Sequence, residues 1–214
     1  MATAQAALTP TTNTAPAVVS IPAADPSGAH WCARFPGSAQ VSDCVDPFKA
    51  NITSFLAALN TAGASVTISA TYRPPQRAYL MHWSWMIVFS NADPRTIPAM
   101  AGVNIHWDHL DAAGAYLAAG SLSAAQDMVN GYSMQNLNTA PALDSRHIRR
   151  SAIDMSLSWN GTLSIVDATG TTVAITATPR SGMNADLATV GTTFGAIKYN
   201  GSGVDRPHWS DTGR

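Results

Sequence analysis

The sequence predicts an α+β domain in which helices pack against a small, mostly antiparallel sheet. Three observations carry this expectation. Val66, Ile68 and Ala70 alternate with Thr67 and Ser69, the pattern of a half-buried strand. Ile153, Met155, Leu157 and Trp159 alternate again ahead of Asn160-Gly161, the strongest short hairpin signal in the chain. Phe48, Ile52, Phe55, Leu56 and Leu59 recur at helical spacing instead.

Taken in order, residues 1–28 read as a flexible tail. Pro10, Pro16, Pro22 and Pro26 lie among Ala and Thr with Asp25 as the only charge, so this stretch has little to bury. Residues 29–214 read as one domain, with no second linker and no internal repeat. Asp46-Pro47 is expected to cap a first helix, with proline in its first turn, and Gly63 to end it. After the strand at 66–70, a turn at Tyr72-Arg73-Pro74-Pro75 leads into a second helix over about 76–90. The Ala-rich stretch at about 110–135 predicts a third helix. Thr162 to Val166 is expected to return along the 153–159 strand as the second arm of a hairpin.

Composition narrows the chemistry. With 214 residues, 46% of them hydrophobic, the chain can bury one well-formed core. Its 12 basic and 13 acidic residues leave a net charge of −1, which argues against nucleic acid or an anionic membrane as the main partner. The longest apolar run, 78–89, is too short to span a bilayer and holds His82. The N-terminus lacks the basic and continuous apolar regions of a secretory signal. All 13 acids are aspartate. That excludes chemistry requiring glutamate, such as the HExxH metalloprotease motif and the Glu-closed EF-hand loop. Cys32 and Cys44 either close a small disulfide loop worth about 3 kcal/mol or remain two buried thiols.

Three segments bear chemistry. Ser145-Arg146-His147 precedes a strand carrying Asp154, which must point to the face opposite Ile153 and Met155. Asp205-Arg206-Pro207-His208-Trp209 follows near residue 214, and Thr71-Tyr72-Arg73-Pro74 ends the first strand. His147, Asp154 and His208 make an N, O, N ligand set for zinc, three protein ligands being the pattern of a catalytic rather than a structural site. Two neutral imidazoles and one carboxylate leave the ion with net positive charge, which favours deprotonation of an attacking water near neutral pH. N/O sites of this kind also accept manganese or cobalt. Asp205, three residues before His208, is placed to act as general base, and Arg73 to bind a carboxylate or polarise a carbonyl.

These segments resemble the zinc peptidases of bacterial cell walls. That family includes D-alanyl-D-alanine carboxypeptidases, D-Ala-D-Ala dipeptidases and phage L-alanyl-D-glutamate endopeptidases. Its pattern is SxHxxGxAxD, then an acid three residues before a histidine and an aromatic, with an upstream YRS or YRP. Ser145, His147, Ala152 and Asp154 fill the first motif, Asp205, His208 and Trp209 the second, and Tyr72-Arg73-Pro74 the third. The resemblance spans about 66–211 and implies a fold like that of the Hedgehog and D,D-peptidase domains. It implies zinc on His147, Asp154 and His208, Asp205 as base, and Arg73 and Ser145 as substrate contacts. The expected activity is hydrolysis of an amide bond in the peptidoglycan stem peptide. The expected place of action is the periplasm or cell wall, reached by holin release, in a phage particle or through a secretion system. Any immunity or delivery partner is not named by these residues.

One position departs from the pattern. Arg150 stands where the family has glycine, so it either strains the loop aiming His147 or narrows the cleft. A non-catalytic peptidoglycan-binding module is the alternative that this departure raises. Among other candidates, His106 and His109 flank Asp108 and would share a face on a helix, but no third ligand type lies nearby, which favours a structural or cleft-wall role. His82 reads as a satisfied core or interface histidine. Trp83, Trp85 and Trp107 read as core residues or sugar-stacking faces. No GxSxG elbow, Walker A loop or GxGxxG is present.

Overall fold

A computed structural model describes residues 24–201 and 205–214. The tail expected at 1–28 lies outside the described residues as far as residue 23. Its last residues are structured: β1 (Asp25–Pro26) pairs in parallel with β3 (Ile105–His106), and Ser27 is buried. Residues 25–27 therefore belong to the folded domain, upstream of the boundary expected at 28.

The first helix, α1 (Phe48–Thr61), turns Phe48, Ile52, Phe55 and Leu59 to one buried face, at the spacing its sequence shows. The N-cap falls at Pro47, one residue later than the Asp46 expected, and the Asp46 carboxylate accepts from Ala50 N at 3.3 Å. The strand β2 (Ser65–Ala70) follows, then α2 (Pro75–Ser90), with proline opening the helix. Asn91, at φ 56°, ends α2, and Ala92 N donates back to Met86 O at 3.0 Å. The third helix, α3 (Ala118–Gly131), starts well after residue 110. The Asp111 carboxylate accepts from Ala113 N and Ala115 N, and Gly114 takes φ 79°, so local turn bonds win over helix up to Leu117.

The long strand β4 (Ala152–Ser158) is central to the fold. Next come β5 (Leu163–Val166), β6 (Thr172–Ile175), α4 (Ala185–Thr193), β7 (Ile197–Lys198) and β8 (His208–Ser210). The main sheet has the order β2-β4-β8-β7, every pair antiparallel. The hairpin expected at Asn160-Gly161 is not formed. β5 pairs with β6 in a separate two-stranded sheet, not with β4. A two-residue type I′ turn needs positive φ at both central residues, and of this pair only Gly161, at 66°, has it. The chain turns there and leaves the sheet.

The buried residues form two hydrophobic clusters, the first of which includes residues of this sheet. One gathers Phe48, Ile52, Phe55 and Leu59 of α1 with Ile153, Met155 and Leu157 of β4, Leu187 and Val190 of α4, and Trp209. The other joins α2 and α3 through Leu80, Trp85, Met128 and Val129, with Trp31 and Trp107. One face of β4 is thus packed into the first cluster, while Asp154 on the opposite face lines a cavity. Cys44 is buried in the first cluster and Cys32 packs against the second, and both are free thiols. The disulfide considered for them is absent.

Candidate metal centre

Strand register builds half the site. In the antiparallel β4–β8 pair Asp154 lies directly opposite His208, so the two side chains leave the same face of the sheet. On β4 the residues Ile153 and Met155 are buried in the opposite direction, as alternation requires. On its other edge β4 meets β2, whose register shifts between Ile68 and Ala70. This irregularity lets the chain leave the sheet at Thr71, whose carbonyl oxygen accepts from His147 Nδ1 at 3.2 Å.

His147 arrives on a tight turn. Ile148 N and Arg149 N bond back to Ser145 O, Arg150 N to His147 O, and Ser151 N to Arg146 O at 2.9 Å. That last bond closes a helical turn of the kind that ends in a left-handed residue, and Arg150 takes φ 61°. The position where the motif has glycine takes positive φ in this chain. Arg150 adopts it, with its guanidinium carbon 4.4 Å from the centre of the Tyr72 ring. Its side chain is turned to Tyr72, and the cavity wall is formed by Arg146 and Arg149 instead. Of the two effects expected of Arg150, the narrowed cleft is not found.

The three ligand atoms meet closely. Asp154 Oδ1 lies 3.1 Å from His147 Nε2 and 3.1 Å from His208 Nδ1, and the two nitrogens are 3.2 Å apart. His147 and His208 are buried, at 4% and 5% exposure. Their outer nitrogens both face main-chain oxygens, which only accept. His147 Nδ1 donates to Thr71 O, and His208 Nε2 donates to Arg214 O at 3.1 Å. In the neutral rings the inner nitrogens are therefore lone pairs. Two lone pairs and a carboxylate oxygen, all at hydrogen-bond distance, are satisfied only by a cation among them, either a proton or a metal. A tetrahedral zinc site with ligands at about 2.0–2.1 Å has ligand–ligand edges of about 3.3 Å. The observed separations are close to that, and the residues fit the ion.

Electrostatics agree with the geometry. Burial pushes the Asp154 carboxyl up, but hydrogen bonds with His147 and His208 and their charges outweigh it and hold it well below the usual carboxylate range. Burial pulls Arg73 below its ordinary value, partly countered by the charges of Asp154 and Asp205.

A cavity of about 570 Å³ opens over the ligands. Its wall includes Arg73, Ser145 and Asp205, so all six residues expected at the site are brought together there. Ser145 Oγ is buried without a hydrogen-bond partner. Asp205 is exposed at the rim, and its main-chain oxygen accepts from Lys198 Nζ at 3.1 Å. Sequence reasoning missed Tyr199, whose ring stands edge-on to His208 at 5.9 Å, and the Arg149–Asp144 ion pair in the cavity wall. It also missed the two main-chain oxygens behind the histidines, since a main-chain contact leaves no side-chain signature.

The other histidines take structural places. His106 and His109 do not lie on a helix. His106 is in β3, and His109 Nε2 is 3.1 Å from Ser27 Oγ. His82 Nδ1 donates to Pro141 O at 2.9 Å, joining α2 to the loop that walls the cavity. Trp85 and Trp107 are buried in the second cluster and Trp83 packs against it. Among the described residues, His147, Asp154 and His208 form the one group of three or more His, Cys or Asp side chains placed to share an ion. Among the described residues no helix is long and apolar enough to cross a membrane. Comparison with protein-family models, with curated proteins and with solved structures gave no match, so the chain is placed here by its fold class and its His/Asp/His group alone.

Proposed function

We propose that the protein is a zinc-dependent peptidase that hydrolyses an amide bond in the stem peptide of bacterial peptidoglycan. The observation that carries this reading is the convergence of His147, Asp154 and His208 at zinc-like separations in a cavity shared with Arg73, Ser145 and Asp205. The motifs that hold these residues supply the substrate class. A bound zinc ion would polarise the scissile carbonyl and acidify the attacking water.

The chain's own groups do the rest. The Asp205 carboxylate accepts the proton of the attacking water and passes it to the leaving amine. Arg73, held cationic in a buried wall, draws the developing negative charge on the carbonyl oxygen or binds a substrate carboxylate. Ser145 Oγ, with no partner of its own, is available to a polar group of the substrate. A cavity of about 570 Å³ has room for a short peptide segment. In this reading the protein works in the periplasm or cell wall, after holin release, carriage in a phage particle or secretion.

The test is digestion of purified peptidoglycan by zinc-loaded and chelator-treated protein, with products identified by mass. Zinc-dependent fragments are expected. Loss of a terminal D-Ala would identify a carboxypeptidase, and cleavage at L-Ala an endopeptidase. Asp205→Asn should retain zinc and lose about 10²–10⁴ in rate. Absence of fragments from folded, zinc-loaded protein would overturn the peptidase reading and leave a peptidoglycan-binding module, to be measured by sedimentation with the same material.

A further inference from the structure

After β8 the chain doubles back within four residues. Asp211 N donates to Ser151 O at 3.1 Å, and Asn200 N donates to Gly213 O at 2.9 Å. Arg214 N donates to Ser210 Oγ at 3.1 Å, while that hydroxyl donates to Arg214 O at 3.1 Å. Ser210 is fully buried. Gly213 makes the turn possible: its φ is +73°, and a Cβ there would lie 2.9 Å from both Asn200 Nδ2 and Lys198 O. The oxygen delivered by this turn is the one that accepts from His208 Nε2.

We propose that the Ser210–Arg214 return turn is a positioning element for the metal centre. The Arg214 main-chain oxygen, tethered by Ser210, holds the His208 proton on Nε2 and so directs Nδ1 at the ion. This rests on the metal site of the preceding reading but not on peptidase activity. The two histidines are supported differently. The acceptor of His147 is Thr71 O, on a fully buried residue at the end of β2, and cannot be removed without disturbing the sheet. The acceptor of His208 comes from a short turn and can be removed alone. Partners of this kind, behind a ligating histidine, are worth about 10–100-fold in metal affinity.

The experiment measures zinc affinity by competition with a chromophoric chelator, together with the thermal midpoint of the metal-free protein. Ser210→Ala and a chain ending at Thr212 should each bind zinc about 10–100-fold more weakly. Their metal-free midpoints should stay near the parent's, and Ser210→Thr, which keeps the hydroxyl, should recover affinity. Cobalt-loaded Ser210→Ala should also show an altered visible spectrum, which a purely structural role would not produce. Parent-like zinc affinity in Ser210→Ala overturns the proposal, including when the shortened chain fails to fold. A parent that takes up no zinc overturns the metal reading itself. A parent that binds zinc but cuts nothing leaves this inference to be decided by affinity.

Discussion

At the scale of single residues, Arg150 shows how a departure from a motif is absorbed. A left-handed non-glycine residue costs about 1–2 kcal/mol. Glycine would remove that strain but lose the contact with Tyr72, worth about 0.5–1 kcal/mol at an exposed site, and would add unfolded-state entropy of about 0.5–1 kcal/mol. The terms nearly cancel. Arg150→Gly should therefore change unfolding stability by less than about 1 kcal/mol in denaturant titration, and leave zinc affinity where it is. A large gain in either would show that the arginine strains the His147 turn.

The same scale explains what was legible in the sequence. His147, Asp154, Asp205, His208, Arg73 and Ser145 announce themselves because their chemistry resides in side chains at fixed spacing. The contributions of Thr71 and Arg214 are main-chain oxygens, which leave no mark in the side-chain pattern. They become visible only when the backbone is placed.

At the scale of elements, Trp209 ties the site to the core. It is fully buried beside His208, and its ring lies 5.4 Å from that of Phe55. Gly191 of α4 faces it: a Cβ there would lie 2.6 Å from Trp209 Cζ3 and 2.8 Å from Ala196 O. Glycine-to-alanine in a helix normally stabilises by up to about 1 kcal/mol. Here overpacking of about 1–3 kcal/mol opposes that gain, and one of the clashing atoms is backbone. Gly191→Ala should lower stability, seen as a reduced denaturant midpoint, and should weaken zinc binding because β8 carries both Trp209 and His208.

Elements with strong periodicity, α1 and β4, were readable in the sequence because one face of each is buried. The β5 pairing was not. Asn160-Gly161 signals a turn, but the partner of the next strand is decided by packing, and Leu163 and Ile165 of β5 enter the first cluster together with Ile175 of β6. The start of α3 was hidden by the local bonds of Asp111.

At the scale of the whole molecule, metal and pH act on the same three side chains. A carboxyl whose native pKa is depressed adds stability above its ordinary value of 3.8 and loses it as pH falls toward the native value. Metal-free protein should accordingly lose stability below about pH 4, and Asp154→Asn should flatten that acid limb in a pH series of thermal melts. Zinc at 100 times its dissociation constant adds about 2.7 kcal/mol. For a chain of this length that is a rise of about 5–10 °C in midpoint, which a chelator should reverse.

The register that sets Asp154 against His208 has a further consequence. The outermost ligands, His147 and His208, are separated by 61 residues, and β5, β6 and α4 all lie within that interval. An ion held by both ends bridges that interval in the folded chain and is released on unfolding, because its ligands meet only in the fold. A cut in the exposed turn between Val166 and Thr172 would leave His147 and Asp154 on one fragment and His208 on the other. In the nicked but folded protein, the ion is then a direct bond between two polypeptides, and a chelator should weaken their association.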